Sequence, residues 1–494
     1  MNYIFPVYEP DKAYVANSLW LPKKAYTPHG VRPEVVKKAL EFRVGTQNGQ
    51  VEVVMWGESP YHIIVPREFL PTSEYVQYRF PFVDLRPEFK KVRFEDLVVP
   101  RNEEQQRAWE ALSANDNGIL NLGCGKGKTK LALKKIAQKG VPTLVIVPDG
   151  GILDQWKRAI EGDTTPGREQ GPGLRFRGEL GIISGSTFDW KRPITLALVT
   201  SLWPKIEAGE IPEEMFRYFG LIVYDEVHKI GAPKFALTAS PWYGDRIGLT
   251  ATVQREDGLD PIYRYHIGEP FYTDLTQDLV PRIYFQQTPA YFDTEPAVVN
   301  GLVNASILRG MLGRNYEANN YRYWAIKEAL DEGRKILCLS HSRDQLDLFH
   351  AMFPGSGVIH GDTPKQERLD ILRGHQITFA IEKLGATGAD DDRLDTLFWL
   401  TPFRSKINLQ QSMGRIQRHF AGKKTPVMVV FEEWTIPTLL NMVRGLKSNL
   451  REWGFSFDTL QPSQTLPDRL PPKAQRAYER AARKEESPKS RRAR

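Results

Sequence analysis

Seven residues, Gly123-Cys-Gly-Lys-Gly-Lys-Thr129, are of the right types and spacing to hold a phosphate. Glycines at 123, 125 and 127 let backbone N–H groups crowd an anion, since no Cβ stands in the way. Lys128 is placed to reach the outer phosphates of a nucleotide, and the Thr129 hydroxyl to ligate Mg²⁺. A second constellation is Asp225-Glu226-Val-His228. Two adjacent carboxylates beside a phosphate turn suit metal-assisted hydrolysis. Asp225 would hold Mg²⁺, directly or through water, and Glu226 would orient and polarise an attacking water. Each motif also has a plainer reading, as a glycine turn without a ligand and as a carboxylate pair at a helix start.

The elements around these residues are those that such chemistry needs. Ile119 to Leu122 is mostly apolar and reads as a short buried strand. After the glycine turn, Lys128-Thr129 opens a helical pattern, with Leu131, Leu133 and Ile136 apolar and Lys130, Lys134 and Lys135 polar. A helix start adds partial positive charge where the phosphate would lie. Leu221-Ile-Val-Tyr224 is an apolar strand that delivers Asp225 at its carboxyl end. Arg246 to Thr252 is another, ending in Thr250 and Thr252, whose hydroxyls can bond the acidic cluster or simply close a strand. Arg255-Glu256-Asp257-Gly258 follows at once. A helix begins near Pro100, and the Gln105 amide on it can donate and accept at an adenine edge, or be an ordinary helix-start residue. Further strands are expected at Thr143–Val147 and Leu196–Thr200, with a helix from Ile152 to Arg158 and a surface loop over 162–181. Alternating strands and helices imply a parallel sheet covered on both faces, with ligands at the carboxyl ends of its strands.

A second alternating unit follows. Strands are expected at Lys335–Leu339, Val358–Gly361, Ile377–Ile381 and Thr396–Leu400, and helices at Arg343–Phe353 and Pro364–Leu372. It contains no second phosphate turn. Gln411-Ser-Met-Gly-Arg-Ile-Gln-Arg418 is expected on a helix, which would put Arg415 and Arg418 on one face. They could pair with local carboxylates or act as arginine fingers on a nucleotide bound elsewhere. Before the phosphate turn, a small α+β segment is expected. Its strands are Val51–Trp56 and Tyr61–Val65 about a turn at Gly57–Pro60, and its helix is Arg32–Leu40.

Composition narrows the class. A chain of 494 residues with 41% hydrophobic residues holds two or three ordinary cores. No apolar run approaches membrane-spanning length, and the N-terminus has no signal pattern, so a cytoplasmic location (the host's, for a phage-encoded chain) and no membrane partner are expected. The two cysteines, Cys124 and Cys338, have no metal-ligand spacing, so neither zinc nor a disulfide is expected. The whole net charge of +7 resides in the last segment: Arg469 to Arg494 carries ten Lys/Arg against three Asp/Glu. That end either assists in binding nucleic-acid phosphates or is a solvated, partly helical solubilising segment.

In order and spacing, the strings GCGKGKT, DEVH, LTAT and QSMGRIQR resemble a superfamily 2 helicase or translocase, from about Val98 to Trp453. The turn is the relaxed G-x-G-K-T form, with Leu122 where the strict motif has glycine. Within the superfamily, DEVHKIGAPKF and GLTATVQREDG resemble the XPB-like branch and related phage recombination helicases, and Arg255-Glu256-Asp257 matches that branch's Arg-Glu-Asp element. The resemblance implies an α/β fold of two RecA-like parallel-sheet domains in tandem, preceded by the small α+β domain. The expected boundaries are 1–95 for the N-terminal domain, 96–270 for the first RecA-like domain, 271–330 for a connecting region, 331–455 for the second, and 456–494 for a basic tail. It implies ATP and Mg²⁺ as cofactors and DNA as partner, single-stranded, forked or branched, with RNA as the alternative. It implies that Lys128 and Thr129 hold phosphate and metal, that Asp225 and Glu226 hydrolyse, that His228, Thr250 and Thr252 couple the sites, and that Arg415 and Arg418 are fingers. Gly388 and Asp390 match a G-x-D motif at the nucleotide or strand, but Asp391-Asp392 stand where an apolar residue and proline are usual. The approach to Gln105 also departs, since Asn102-Glu103-Glu104 replaces a proline-aromatic pair.

The function expected is ATP-driven unwinding or remodelling of DNA in replication, recombination or repair. An RNA helicase is the near alternative. An ATP-gated duplex clamp or translocase that does not unwind is the alternative of another class. No nuclease constellation is visible, so a restriction-type motor would need a partner to cut.

Overall fold

The computed structural model describes residues 9, 12–23, 33–46, 49–69, 82–123, 125–162, 171–229, 232–251, 258–275, 279–382, 391–418, 420, 422–461, 467 and 469–485. Cys124, Thr252, Arg255, Glu256, Asp257, Gly388 and Asp390 lie outside the described residues. The chain divides into two compact units, Met1–Thr276 and Gln277–Arg494, each carrying its own mostly parallel sheet.

In the first unit the strands run, across the sheet, Thr187–Phe188, Leu180–Ser184, Ile194–Leu198, Thr143–Val147, Leu221–Asp225, Asp245–Thr250, Gly118–Leu122 and Pro270–Asp274. All pairs are parallel except the short outer hairpin of the first two. Runs such as Leu-Val-Ile-Val are apolar throughout because helices cover both faces, so every residue of strands Thr143–Val147, Leu221–Asp225 and Gly118–Leu122 is buried. Register then fixes the site: Asp225 is paired with Leu249, and Asn121 with Thr250. Three parallel strands therefore bring Asp225, Thr250 and the glycine turn to one edge.

The flanking helices follow from their apolar spacing. Gly150–Glu161 buries Ile152, Leu153, Trp156 and Ile160, one stripe at intervals of one to four residues, and Asp149 caps it by accepting from the N–H groups of Gly151 and Ile152. Lys128–Lys139 buries Leu131, Ala132, Leu133 and Ile136. Lys135, expected on the polar face, is buried as well; its ammonium satisfies itself at the Ser113 carbonyl and the Asp116 carboxylate, both at 3.3 Å.

The N-terminal residues form a separate small sheet in the order Gly57–Glu58, His62–Val65, Leu19–Pro22, Ala13–Val15, Phe82–Asp84. The expected hairpin between 51–56 and 61–65 is not formed. Gly49–Val54 instead pairs with Glu41–Thr46, and the supposed turn residues Gly57–Glu58 pair with Ile63 and Ile64. Alternating apolar residues in all these segments suit several pairings equally, so local pattern could not choose the partner. This sheet shares one apolar cluster with the first parallel sheet, Leu19, Leu21, Ile63 and Phe69 packing with Tyr224, Trp242 and Ile262. Two buried arginines fasten the junction. Arg67 donates to the carbonyls of Tyr243 (3.0 Å) and Gly244 (2.7 Å), and Arg246 donates to the carbonyls of Asn17 and Trp242, both at 2.7 Å.

In the second unit the order is Gly357–Ile359, Ile377–Ile381, Ile336–Ser340, Thr396–Trp399, Val427–Glu433, Arg282–Thr288 and Asp458–Leu460, all parallel. Arg282–Thr288 comes from the stretch expected as a connection. Two pieces of the expected tail belong to this unit too. Asp458–Leu460 adds an edge strand, and Leu470, with Ala474, Ala477 and Tyr478 of the following helix Pro472–Glu485, joins the cluster around Phe349 and Phe379. The helix's packed apolar residues recur at 474, 477 and 478, one stripe hidden among charged residues that dominate the composition. The helix carrying Arg415 ends at Ile416, so Arg418 lies beyond it and the two arginines do not share a helical face.

Candidate nucleotide site

The glycine turn takes the shape that its residues permit. Gly125 and Gly127 have φ of +79° and +82°, in the left-handed region that side chains avoid. A Cβ on Gly127 would also come within 2.3 Å of Gln105 Nε2. Gln105 supports the turn from below: its Nε2 donates to the Lys126 carbonyl at 2.9 Å, and its Oε1 accepts from the Arg101 N–H at 2.9 Å. One amide hydrogen and one oxygen lone pair remain for another contact. Lys126 is held sideways, its ammonium donating to Glu104 at 2.8 Å and Asp274 at 3.0 Å. Lys128 folds over the turn, donating to the Leu122 carbonyl at 2.9 Å, and Thr129 follows it in the first turn of helix Lys128–Lys139.

Asp225 closes its strand in a buried position where both carboxylate oxygens accept hydrogen bonds. Trp156 Nε1 donates to Oδ2 at 2.7 Å, and the Glu226 N–H donates to Oδ1 at 2.9 Å. Burial pushes the Asp225 carboxyl up to about 6, the neighbouring Glu226 carboxylate adding to the rise, while the Trp156 N–H and the Lys128 charge pull it back. Glu226 is one of two non-glycine residues with positive φ among those described, at +48°. A left-handed glutamate costs on the order of 1–3 kcal/mol and is kept only where its surroundings enforce it. It turns the chain so that Val227–Lys229 forms a short 3₁₀ turn and His228 points back at the sheet. There His228 Nδ1 lies 2.7 Å from Thr250 Oγ1 and 3.4 Å from Glu226 Oε2.

These donors fit Mg²⁺. A buried carboxylate and a hydroxyl beside a phosphate turn are hard oxygen ligands, and Mg²⁺ takes its remaining ligands from phosphate and water. A site of that kind needs no cluster of protein ligands, and among the described residues no group of three or more His, Cys, Asp or Glu is set to hold a metal.

In the second unit Arg415 is buried, and Arg418 NH1 lies 3.4 Å from Asp392 Oδ1. Lys423 spans the same place, donating to the Arg418 carbonyl at 2.8 Å and the Asp392 carbonyl at 2.9 Å. Asp391 accepts from Arg393 at 2.9 Å and 2.7 Å. The two aspartates at positions where the resemblance loosens are thus engaged with cations, one of them a candidate finger.

The sequence reading did not single out Trp156, Lys126, Glu104, Lys423 or Asp392 as site residues. Lys126 carried a signal, as a lysine inside the glycine turn. Trp156 carried none, being one aromatic residue on an apolar helix stripe.

A phosphate-cradling turn and a strand-end carboxylate pair on a parallel sheet, in a chain with a second parallel α/β unit, have the make-up of a nucleotide-binding α/β protein. Residues 98–255 match the family model described as type III restriction enzyme, res subunit. The chain is 27% identical over 331 residues to the DNA 3'-5' helicase XPB of Mycobacterium tuberculosis, covering 64% of this chain and 57% of that protein. It is 25% identical over 335 residues to a protein of Acanthamoeba polyphaga mimivirus provisionally named an ATP-dependent RNA helicase, covering 65% and 61%. Its fold is similar to a fragment of an HsdR subunit of a type I restriction enzyme from Vibrio vulnificus, with TM-score 0.51 at 17% identity over 74% of this chain and 69% of that one. The chain is thus similar to XPB-type DNA helicases and to a restriction-enzyme motor family, and its fold is similar to that of a restriction-motor fragment. The chain spans about 60% of the length of those two relatives. Among the described residues no helix is long and apolar enough to cross a membrane.

Proposed function

We propose that this protein is an ATP-dependent DNA helicase or translocase that couples hydrolysis to unwinding or remodelling of DNA in replication, recombination or repair. The observation that carries the reading is the edge of the first sheet, where register brings Asp225, Thr250 and the glycine turn together.

Lys128, now on the Leu122 carbonyl, exchanges that oxygen for the outer phosphates of ATP. Bound Mg²⁺ would supply charge neutralisation and phosphate alignment, held by Asp225 and Thr129. Glu226 orients the attacking water and takes up its proton. His228 and Thr250 carry the state of Glu226 to the next strand. Arg415 and Arg418 take the role of arginine fingers, supplying positive charge to the triphosphate during hydrolysis. Thr252, Arg255, Glu256 and Asp257 follow Thr250 in the same coupling segment, and Asp390 serves the nucleotide or the strand. The similarity to a DNA 3'-5' helicase favours DNA. The name of the viral relative favours RNA as the second reading.

One panel tests both: ATPase rates on single-stranded, duplex, forked and four-way DNA and on RNA, for the wild type, Lys128→Ala and Glu226→Gln. Stimulation by DNA that disappears in both variants is the expected result. Stimulation by RNA alone would transfer the assignment to RNA, and normal turnover in either variant would remove the site assignment.

A further inference from the structure

The indole of Trp156 is fully buried, and it is embedded in the apolar cluster of Val147, Ile152, Leu153, Leu196 and Val223. Its one polar atom, Nε1, donates to Asp225 Oδ2 at 2.7 Å. Asp225 belongs to a strand, Trp156 to the neighbouring helix Gly150–Glu161, and the bond joins the two elements. The second carboxylate oxygen accepts from the backbone N–H of Glu226. The plane of the carboxylate is therefore fixed from two directions, by groups that cannot swing. The N–H of an indole only donates, so Oδ2 is kept as an acceptor with a second lone pair for another contact.

We infer that Trp156 is a positioning residue for the metal carboxylate: its indole N–H fixes the plane of the Asp225 carboxylate, and with it the lone pairs left to bind Mg²⁺. This rests on the reading of Asp225 as the metal ligand. Supporting donors that aim a first ligand typically change metal affinity by about 10–100-fold when removed. Phenylalanine at 156 keeps an aromatic ring in the apolar cluster and deletes the donor.

The test is calorimetric titration of the full-length chain with ADP, in the presence of Mg²⁺ and in EDTA. The ratio of the two affinities measures the metal's contribution without turnover. Trp156→Phe should lower that ratio about tenfold, leave ADP affinity in EDTA unchanged, and raise the Mg²⁺ concentration needed for half-maximal ATPase. Leu153→Ala is the control, since it loosens the same helix without touching the carboxylate. An unchanged ratio in Trp156→Phe overturns the inference, and so does an equal fall in Leu153→Ala, which would assign the effect to packing. Asp225→Asn separates the two levels. A wild-type ratio in that variant would defeat the metal-ligand reading itself, whereas a collapsed ratio there beside a normal one in Trp156→Phe would defeat only the role of the indole.

Discussion

His228 and Thr250 stand on different elements, the 3₁₀ turn after one strand and the end of the next, and their side chains meet at 2.7 Å between Nδ1 and Oγ1. The same imidazole nitrogen lies 3.4 Å from the Glu226 carboxylate. A three-membered chain thus runs from the candidate catalytic carboxylate into the neighbouring strand. Thr250→Val keeps the branched shape and removes the hydroxyl. It should bind MgATP within about threefold of wild type and lose roughly tenfold of the DNA-stimulated rate, the cost of one hydrogen bond near a charge. Steady-state ATPase with and without DNA reads both. A variant that loses ATP affinity but keeps its stimulation ratio would remove the pair from coupling.

Gln105 supports the glycine turn and retains one donor and one acceptor. Gln105→Ala should therefore weaken ATP and GTP alike by removing the prop beneath Gly127, and weaken ATP further if the remaining amide atoms meet adenine. We expect KM for ATP to rise about tenfold and KM for GTP less, as one or two hydrogen bonds would give. Equal rises for the two nucleotides would leave Gln105 with the supporting role alone.

Arg418 lies past the end of its helix and is steadied by Asp392 and by Lys423, whose own ammonium is brought down to about 8 chiefly by burial. Arg418→Ala should retain ATP binding and lose on the order of 10³ in turnover, the usual scale for an arginine finger. Asp392→Asn removes only a half-exposed ion pair, worth about 1 kcal/mol at most, so a fivefold fall is its ceiling. Nucleotide titration beside single-turnover hydrolysis separates binding from chemistry. Wild-type single-turnover hydrolysis in Arg418→Ala would refute the finger role.

The second unit contains a fully buried ion pair between Arg322 and Glu433. Arg322 also donates to the Leu400 carbonyl at 2.7 Å, and the Thr288 hydroxyl donates to Glu433 at 3.2 Å. Burial pushes the Glu433 carboxyl upward, opposed by Arg322. Glu433→Ala leaves a buried guanidinium without its counter-ion and should cost about 3–5 kcal/mol. Urea denaturation followed by a probe in the second unit would register this as a lower midpoint. Paired replacement by apolar residues should recover much of the loss.

His266 is buried beside Arg246 and Arg67, and burial first, then those two charges, takes its pKa down to about 3. An unfolded histidine titrates near 6.5, so the folded state binds fewer protons between those values. The neutral imidazole thus supports folding in full above pH 6.5, and that support is lost as pH falls toward 3, at up to about 1.4 kcal/mol per pH unit. Thermal midpoints from pH 7 to pH 5 should fall more steeply for wild type than for His266→Phe. Parallel curves would show that His266 does not set the acid response.

The core strands were legible because each is an apolar run between turn residues. Leu221–Asp225 and Ile377–Ile381 are two examples. The strand Arg282–Thr288 was not, because its sequence Arg-Ile-Tyr-Phe-Gln-Gln-Thr mixes polar residues into an outer position of the sheet. The helix Pro472–Glu485 was obscured by its charge, which composition reads as solvated although one stripe is buried. The N-terminal hairpin expected between 51–56 and 61–65 is replaced by other pairings, since no local feature selects a strand's partner.

What the chain's own residues determined was the chemistry of the site: a glycine turn with Lys128 and Thr129, the carboxylates Asp225 and Glu226, and the order of the motifs that carry them. Those features are local, since a turn needs glycine and a strand needs an apolar run wherever they occur. Tertiary structure alone decided how the site is braced. Trp156 on Asp225, Gln105 and Lys126 around the glycine turn, and Asp392 on Arg418 are all contacts between residues more than twenty positions apart. Such contacts exist only once helices have packed on the sheet, because a hydrogen bond between distant residues is set by register and packing rather than by either residue's neighbours in sequence.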